Sequence, residues 1–125
     1  MKHLVLLASG NPSLVSVIKK HLVEDEYDII IARTSADVFK MVKDHNPSVV
    51  LLDTNQSELQ AEAIHDEIQR LVPGQTVIVL ADKEEASYVS HYFKIGVDDV
   101  MVKPLDPNEL IGRINARIRC GDVSV

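Results

Sequence analysis

The sequence predicts an α/β fold, a doubly wound parallel sheet of five strands with a helix after each strand. Short, nearly continuous apolar segments alternate along the chain with segments whose apolar residues recur at helical spacing. Continuous apolar runs are typical of strands that are covered by helices on both faces. The chain has 125 residues, a length that suits one domain with one such sheet.

Each predicted strand is a short apolar run. In chain order, the strands are expected at Leu4 to Ala8, Asp28 to Ala32, Val49 to Asp53, Thr76 to Ala81 and Val100 to Val102. The connections between them should be right-handed crossovers, the usual hand for parallel strands.

The first two helices are marked by residues that favour helix ends. Asn11-Pro12 predicts the first start, because Asn caps helices and Pro suits the first turn. Thr34 to Asp37 resembles a capping box and predicts the second helix, which should end before Asn46-Pro47. The inward-facing residues are expected to be Leu14, Ile18 and Leu22, then Val38, Phe39 and Val42.

The third and fourth helices are bounded by glycine or proline. The third is expected from about Glu58 to Leu71, before Pro73-Gly74, and the fourth from about Glu84 to Ile95, before Gly96. Their inward-facing residues are expected to be Ile64, Ile68 and Leu71, then Val89 with either Tyr92 or Phe93.

The last helix has the clearest start in the chain. Asp106 to Glu109 combines a cap residue, a proline at the first position and an acid at the third. Its core face is expected to be Leu110, Ile111, Ile114 and Ile118. We expect one domain over residues 1–120, with residues 121–125 as a tail or the start of a linker.

The composition argues against several functions. The formal net charge of −6 disfavours nucleic acids and anionic membranes as direct partners. The single cysteine, Cys120, forms neither a disulfide framework nor a cysteine metal cluster, so a reducing, cytoplasmic setting is expected. The apolar runs are too short to span a bilayer, and the five histidines lack zinc-ligand spacing.

Two charged residues close predicted strands. Asp53 ends the third strand, and Lys103-Pro104 follows the fifth. The carboxyl ends of parallel strands line one edge of a sheet, and ligands bind there. We therefore expect Asp53 and Lys103 to meet at one site.

Three segments resemble a known family. They are Leu51 to Asp53, Gly96 to Pro104 and Asp106 to Leu110. Together they resemble the receiver domain of response regulators, the phosphorylatable module of two-component signalling, over essentially the whole chain. The resemblance implies a flavodoxin-like sheet in the order 2-1-3-4-5 with five helices, and a site between strands one and three.

The resemblance also implies roles for individual residues. Asp53 matches the phosphoacceptor, whose carboxylate attacks a phosphoryl donor to form an acyl phosphate. Lys103 matches the lysine that pairs with phosphoryl oxygens, and Pro104 the proline whose peptide bond is cis in the family. The implied partners are a histidine kinase or other signalling protein, and a second copy bound through helix four, strand five and helix five. Such a module is not an enzyme.

Four positions depart from the family pattern. Ala8 and Ser9 replace the two acids that hold Mg²⁺, Ala81 replaces a Ser or Thr after strand four, and Val100 replaces an aromatic switch residue. Mg²⁺ prefers oxygen ligands, usually with one or two carboxylates. We expect weak binding through Asp53 and Asn55 at most, and more simply no cofactor.

Asp82 follows the fourth predicted strand directly. Its carboxylate is a candidate substitute acid, able to ligate a cation or to act as a base beside Asp53. We expect instead that Asp82 is a loop residue facing water.

The sequence thus predicts a receiver domain of a two-component or phosphorelay protein in which Mg²⁺-dependent phosphorylation of Asp53 is impaired or absent. The alternative is a phosphate-independent pseudo-receiver that serves as an interaction or dimerisation module. A flavin or nucleotide-phosphate carrier is a third reading, because the loop Ala8 to Ser13 precedes a helix and could bind phosphate. Pro12 removes one amide donor from that loop, and the chain has no Trp to stack on a flavin.

Overall fold

The computed structural model describes residues 3–54 and 60–122 of the chain. Its strands are β1 Leu4–Ala8, β2 Asp28–Ala32, β3 Val49–Asp53, β4 Val77–Ala81 and β5 Asp99–Val102. Neighbouring strands are parallel, and their order in the sheet is β2-β1-β3-β4-β5. The predicted fold class and strand order are confirmed.

Within the described ranges, an α-helix follows every strand. The helices are α1 Pro12–Glu24, α2 Ser35–His45, α3 Ala61–Leu71, α4 Val89–Lys94 and α5 Pro107–Asp122. A 3₁₀ helix, Lys83–Tyr88, leads into α4. The predicted start of the third helix at Glu58 lies outside the described residues.

One predicted helix differs from the structure in its first part. The fourth helix was expected to be one α-helix, but its first part is a 3₁₀ helix. The N–H of Glu85 donates to the carbonyl of Asp82 at 2.9 Å, a bond between residues three apart, and such tight turns are common at helix starts. The helix α5 extends to Asp122, and residues 123–125 lie outside the described residues, so the tail at residues 121–125 stays a prediction.

The sheet is buried on both faces because alternate strand residues point in opposite directions. Val50 and Leu52 of β3 belong to an apolar cluster beneath α2, α3 and α4. Val49 and Leu51 belong to the opposite cluster, beneath α1 and α5. Burial on both faces explains why the sequences of the strands are continuous apolar runs.

Local side chains and backbone conformations set the helix ends. The side-chain oxygen of Asn11 accepts the N–H groups of Ser13 and Leu14 at 3.0 and 3.3 Å, which caps α1. Asn46 ends α2 in the left-handed conformation, and Gly96 follows α4 with a φ of +100°.

The inward faces of two helices refine the predictions. In α4 the inward aromatic residue is Tyr92, which is 5% exposed, whereas Phe93 is 47% exposed. In α1, Val15 is fully packed beside Ile18 and Leu22, and Leu14 is only partly buried. None of the helices in the described part of the chain is both long and apolar enough to cross a membrane.

Candidate functional site

Four polar residues meet at the carboxyl edge of the sheet. Asp53 is the last residue of β3, and Ser9, Asp82 and Lys103 directly follow β1, β4 and β5. Because these strands are parallel, their ends lie side by side. The structure thus brings together Asp53 and Lys103, as the sequence predicts, and adds Ser9 and Asp82 to them.

Asp53 and Lys103 form a buried ion pair. Lys103 Nζ lies 2.6 Å from Oδ1 of Asp53, and Asp53 is only 1% exposed. The backbone N–H of Lys103 donates to the carbonyl of Ala81 at 2.9 Å, and the Lys103-Pro104 peptide bond is cis. A buried carboxylate is costly without a counterion, and Lys103 supplies that counterion from within the chain.

Ser9 holds the other oxygen of the same carboxylate. Its hydroxyl donates to Oδ2 of Asp53 at 2.7 Å. The hydroxyl oxygen accepts the N–H of Asn11 at 3.1 Å, and the N–H of Ser9 donates to the carbonyl of Ala32 at 3.0 Å. Ser9 is therefore a fully bonded part of the site, a role that sequence reasoning missed because it treated the position only as a lost acid.

Asp82 is only partly exposed to water, whereas the sequence predicts a loop residue that faces water. Its Oδ1 lies 3.0 Å from Lys103 Nζ, and its side chain is 23% exposed. The reason is the sheet order, which places the end of β4 directly beside β5 and so beside Lys103. Asp82 thus lies at the site, and its carboxylate is paired with the Lys103 ammonium.

The electrostatics keep Lys103 charged. Burial by itself would lower the pKa of the Lys103 ammonium, but the hydrogen bonds and charges of Asp53 and Asp82 outweigh burial and raise that pKa overall. Among the described residues, one ammonium at this edge thus faces two carboxylates.

Three further predicted positions are apolar. Ala8, Ala81 and Val100 are buried members of the apolar cluster beneath α2, α3 and α4. Asn55, the other candidate metal ligand, lies outside the described residues.

The donors of the described residues at this edge do not suit Mg²⁺. Ala8 has no side-chain oxygen, the Ser9 hydroxyl is engaged with Asp53, and the Lys103 ammonium lies against the Asp53 carboxylate. Across residues 3–54 and 60–122, no group of three or more His, Cys, Asp or Glu side chains is placed to hold a metal ion. The cationic group that the structure places against these carboxylates is the Lys103 ammonium.

A second polar cluster lies next to the site and was not predicted. The carboxylate of Glu85 accepts the hydroxyl of Thr54 at 2.6 Å, the N–H of Asp82 at 3.1 Å and the phenol of Tyr92 at 2.8 Å. The spacing of Asp82 and Glu85, three residues apart, is a capping-box pattern that could have indicated the start of the 3₁₀ helix. The bonds to Thr54 and Tyr92 depend on tertiary structure.

Known proteins resemble the chain in sequence and in fold. The family model for the response regulator receiver domain matches residues 5–115. The chain is 23% identical over 124 residues to the alkaline phosphatase synthesis transcriptional regulatory protein PhoP of Bacillus subtilis, covering 99% of this chain and 52% of that protein. It is 32% identical over 90 residues to the transcriptional regulatory protein DegU of Brevibacillus brevis, covering 70% of this chain and 38% of that protein.

Solved structures share the fold at low sequence identity. A response regulator receiver domain protein from Clostridium thermocellum superposes with a TM-score of 0.90 at 21% identity, covering 97% of this chain and 98% of that one. The Francisella response regulator 1452 receiver domain gives a TM-score of 0.88 at 22% identity, covering 96% and 99%. The chain spans about half the length of PhoP and less of DegU.

Proposed function

The chain belongs to the response regulator receiver domain family, and we propose that it is a receiver in which Mg²⁺-dependent phosphorylation of Asp53 is impaired or absent. One observation carries the proposal. Both oxygens of the Asp53 carboxylate already accept hydrogen bonds from side chains of the protein, from Lys103 on Oδ1 and from Ser9 on Oδ2.

Phosphoryl transfer to Asp53 would require a carboxylate oxygen to attack phosphorus while the bond to the leaving group breaks. The transferred group is strongly negative, and such reactions depend on cations that offset its charge. Here the only described cation contacting Asp53 is Lys103, and Asp82 shares it. Without a fitting metal site among the described residues, one ammonium would have to offset the charge of two carboxylates and of the incoming group, so the reaction should be slow.

The alternative function is a phosphate-independent interaction or dimerisation module. The internal bonds of Asp53 favour it, because the pocket is complete without a phosphoryl group or metal. Ala81 and Val100 favour it as well, since neither side chain can hydrogen-bond to a phosphoryl oxygen. If this alternative holds, Asp53→Ala should leave partner binding largely intact, whereas a collapse of binding would exclude it.

The hypothesis of a flavin or nucleotide-phosphate carrier gains no support. The N–H groups of Ser13 and Leu14 at the start of α1 already donate to the Asn11 side chain. The Ser9 hydroxyl is bonded to Asp53. The loop therefore offers a phosphate few unoccupied donors.

The proposed partners are signalling proteins. A histidine kinase or another signalling protein is the natural partner of a receiver, and a second copy is proposed to bind through α4, β5 and α5. The proposed dimer is supported by the position of β5 at the sheet edge and by Phe93 and Tyr88, which are 47% and 40% exposed. The net charge of −6 supports a protein partner rather than direct nucleic-acid binding.

The test is phosphorylation by a small acyl phosphate. The protein is incubated with acetyl phosphate at millimolar Mg²⁺, and phosphoryl incorporation is read by intact-mass spectrometry. We expect little incorporation in the native chain, more in the variant Ala8→Glu with Ser9→Asp, and none when Asp53→Asn is added to that variant. Rapid, Mg²⁺-dependent incorporation in the native chain would refute the impairment.

A further inference from the structure

Glu85 links the Asp53 site to α4. One carboxylate oxygen, Oε1, accepts both the Thr54 hydroxyl and the N–H of Asp82. The other oxygen, Oε2, accepts the phenol of Tyr92. Glu85 thus contacts Thr54, which follows Asp53, and Asp82, which shares Lys103 with Asp53. It also contacts Tyr92, a buried residue of α4.

Two of the residues that Glu85 contacts, Thr54 and Tyr92, have further contacts that position them. The N–H of Thr54 donates to the carbonyl of Leu80 at 3.2 Å, which fixes Thr54 against β4. Tyr92 is 5% exposed and belongs to the apolar cluster of its face, so its phenol needs an internal partner. Tyr88 stacks on the Tyr92 ring with centroids 5.2 Å apart.

A change at Asp53 can reach Glu85 by two routes. The first runs along the chain from Asp53 to Thr54. The second runs from Asp53 through Lys103 to Asp82, whose backbone N–H donates to Glu85. Both routes end at the Glu85 carboxylate. In the described part of the chain, this carboxylate is linked to α4 by the hydrogen bond that the Tyr92 phenol donates.

The cluster has room to rearrange. Thr54, Glu85, Tyr88 and Tyr92 line a cleft of about 270 Å³ whose other wall is the start of α3. The cleft lets the Tyr92 phenol or the Glu85 carboxylate shift without displacing the sheet. The apolar residues Ala81 and Val100 provide no hydrogen bond that could take over this connection.

We propose that Glu85 is a positioning residue that transmits the state of the Asp53 site to α4 through the phenol of Tyr92. The proposal rests on the proposed receiver function, because it describes how the Asp53 site acts on α4. The exposed side chain of Phe93 belongs to that helix. A ligand or modification can shift a conformational equilibrium only through contacts that differ between its states, and Glu85 provides such contacts.

The test compares amide NMR spectra of the full chain with and without Asp53→Asn, a substitution that removes the charge at the site. The shift changes at residues 89–94 are measured in the native, Glu85→Ala and Glu84→Ala backgrounds. Glu84 is the matched control, since it is the neighbouring exposed glutamate. We expect clear shifts at α4 in the native and Glu84→Ala backgrounds and at least about a threefold reduction with Glu85→Ala, as coupled residues are non-additive.

A second variant guards against misfolding of Glu85→Ala. Tyr92→Phe removes only the phenol oxygen and should reduce the α4 shifts to the same extent. The proposal would be overturned if the α4 shifts persist in both Glu85→Ala and Tyr92→Phe, or if the native chain shows no such shifts. An equal loss of the shifts in Glu84→Ala would overturn it as well. No phosphoryl donor is used, so the result is independent of whether Asp53 can be phosphorylated.

Discussion

Lys103 Nζ lies 2.6 Å from Oδ1 of Asp53, although the two residues are 50 positions apart in the chain. The contact exists because β3 and β5 end at the same edge of the sheet, on either side of β4. Asp82, which follows β4, lies within 3.0 Å of the same ammonium. Lys103 therefore pairs with both described carboxylates at this edge of the sheet.

Removing this ammonium should destabilise the fold. Lys103→Met would leave the buried Asp53 carboxylate without its counterion, and breaking a buried pair costs about 3–5 kcal/mol. We expect the lower end of that range, because the Lys103 and Asp82 side chains keep 20% and 23% of their exposure. Urea unfolding measures the change, with the exposed Lys94→Met as control. Equal stabilities of the two variants would contradict the role of Lys103.

Restoring the two acids should lower the stability of the metal-free protein and make its stability depend on Mg²⁺. In Ala8→Glu with Ser9→Asp, new carboxylates would crowd Asp53, and we expect lower stability than the native chain without metal. Mg²⁺ should then stabilise the variant, by about 2.7 kcal/mol at a hundredfold excess over its dissociation constant. The native chain should show no Mg²⁺-dependent change in its melting temperature. A melting temperature of the variant that ignores Mg²⁺ would contradict the assignment of positions 8 and 9.

The parts of the fold that depend on local sequence could be predicted, and parts that depend on tertiary contacts could not. Apolar runs and residues such as Asn11 and Gly96 act over a few positions, so strands and helix ends follow from them. Asp53 and Lys103 could be placed because strand ends in a parallel sheet lie together. The hydrogen bond of the Ser9 hydroxyl could not be predicted because its acceptor, Asp53, lies 44 residues away. The bond between Thr54 and Glu85 spans 31 residues and has no counterpart in any sequence pattern.

His65 should make the fold sensitive to acid. It is 2% exposed, and among the described residues neither ring nitrogen has a hydrogen-bond partner. Burial lowers the pKa of His65 from its ordinary value of 6.5, although the charges of Asp66 and Asp98 oppose that effect. The unfolded chain therefore takes up this proton at a higher pH than the folded chain does.

The sign of the effect follows from that difference. The contribution of His65 to stability is complete above pH 6.5 and is lost as the pH falls below it, by at most about 1.4 kcal/mol per pH unit. His65→Leu should flatten the fall in unfolding free energy between about pH 7 and 5. The exposed His45→Gln is the control. An unchanged pH slope in His65→Leu would show that His65 is not the titrating group.

Two glycine-to-alanine substitutions should change stability in opposite directions. Gly96 has a φ of +100°, and a Cβ there would meet the His65 Cε1 at 3.8 Å, an ordinary contact, so the cost comes from the backbone alone. Gly112 lies within α5, its φ is not in the left-handed region, and a Cβ there would meet nothing within 4 Å. We expect Gly96→Ala to destabilise the fold by about 1 kcal/mol or more, because alanine is strained at that φ. Gly112→Ala should stabilise it by about 0.5–1 kcal/mol, since alanine favours helix interiors. Urea unfolding of both variants measures the difference, and a shared sign would contradict the backbone conformation assigned to one of these positions.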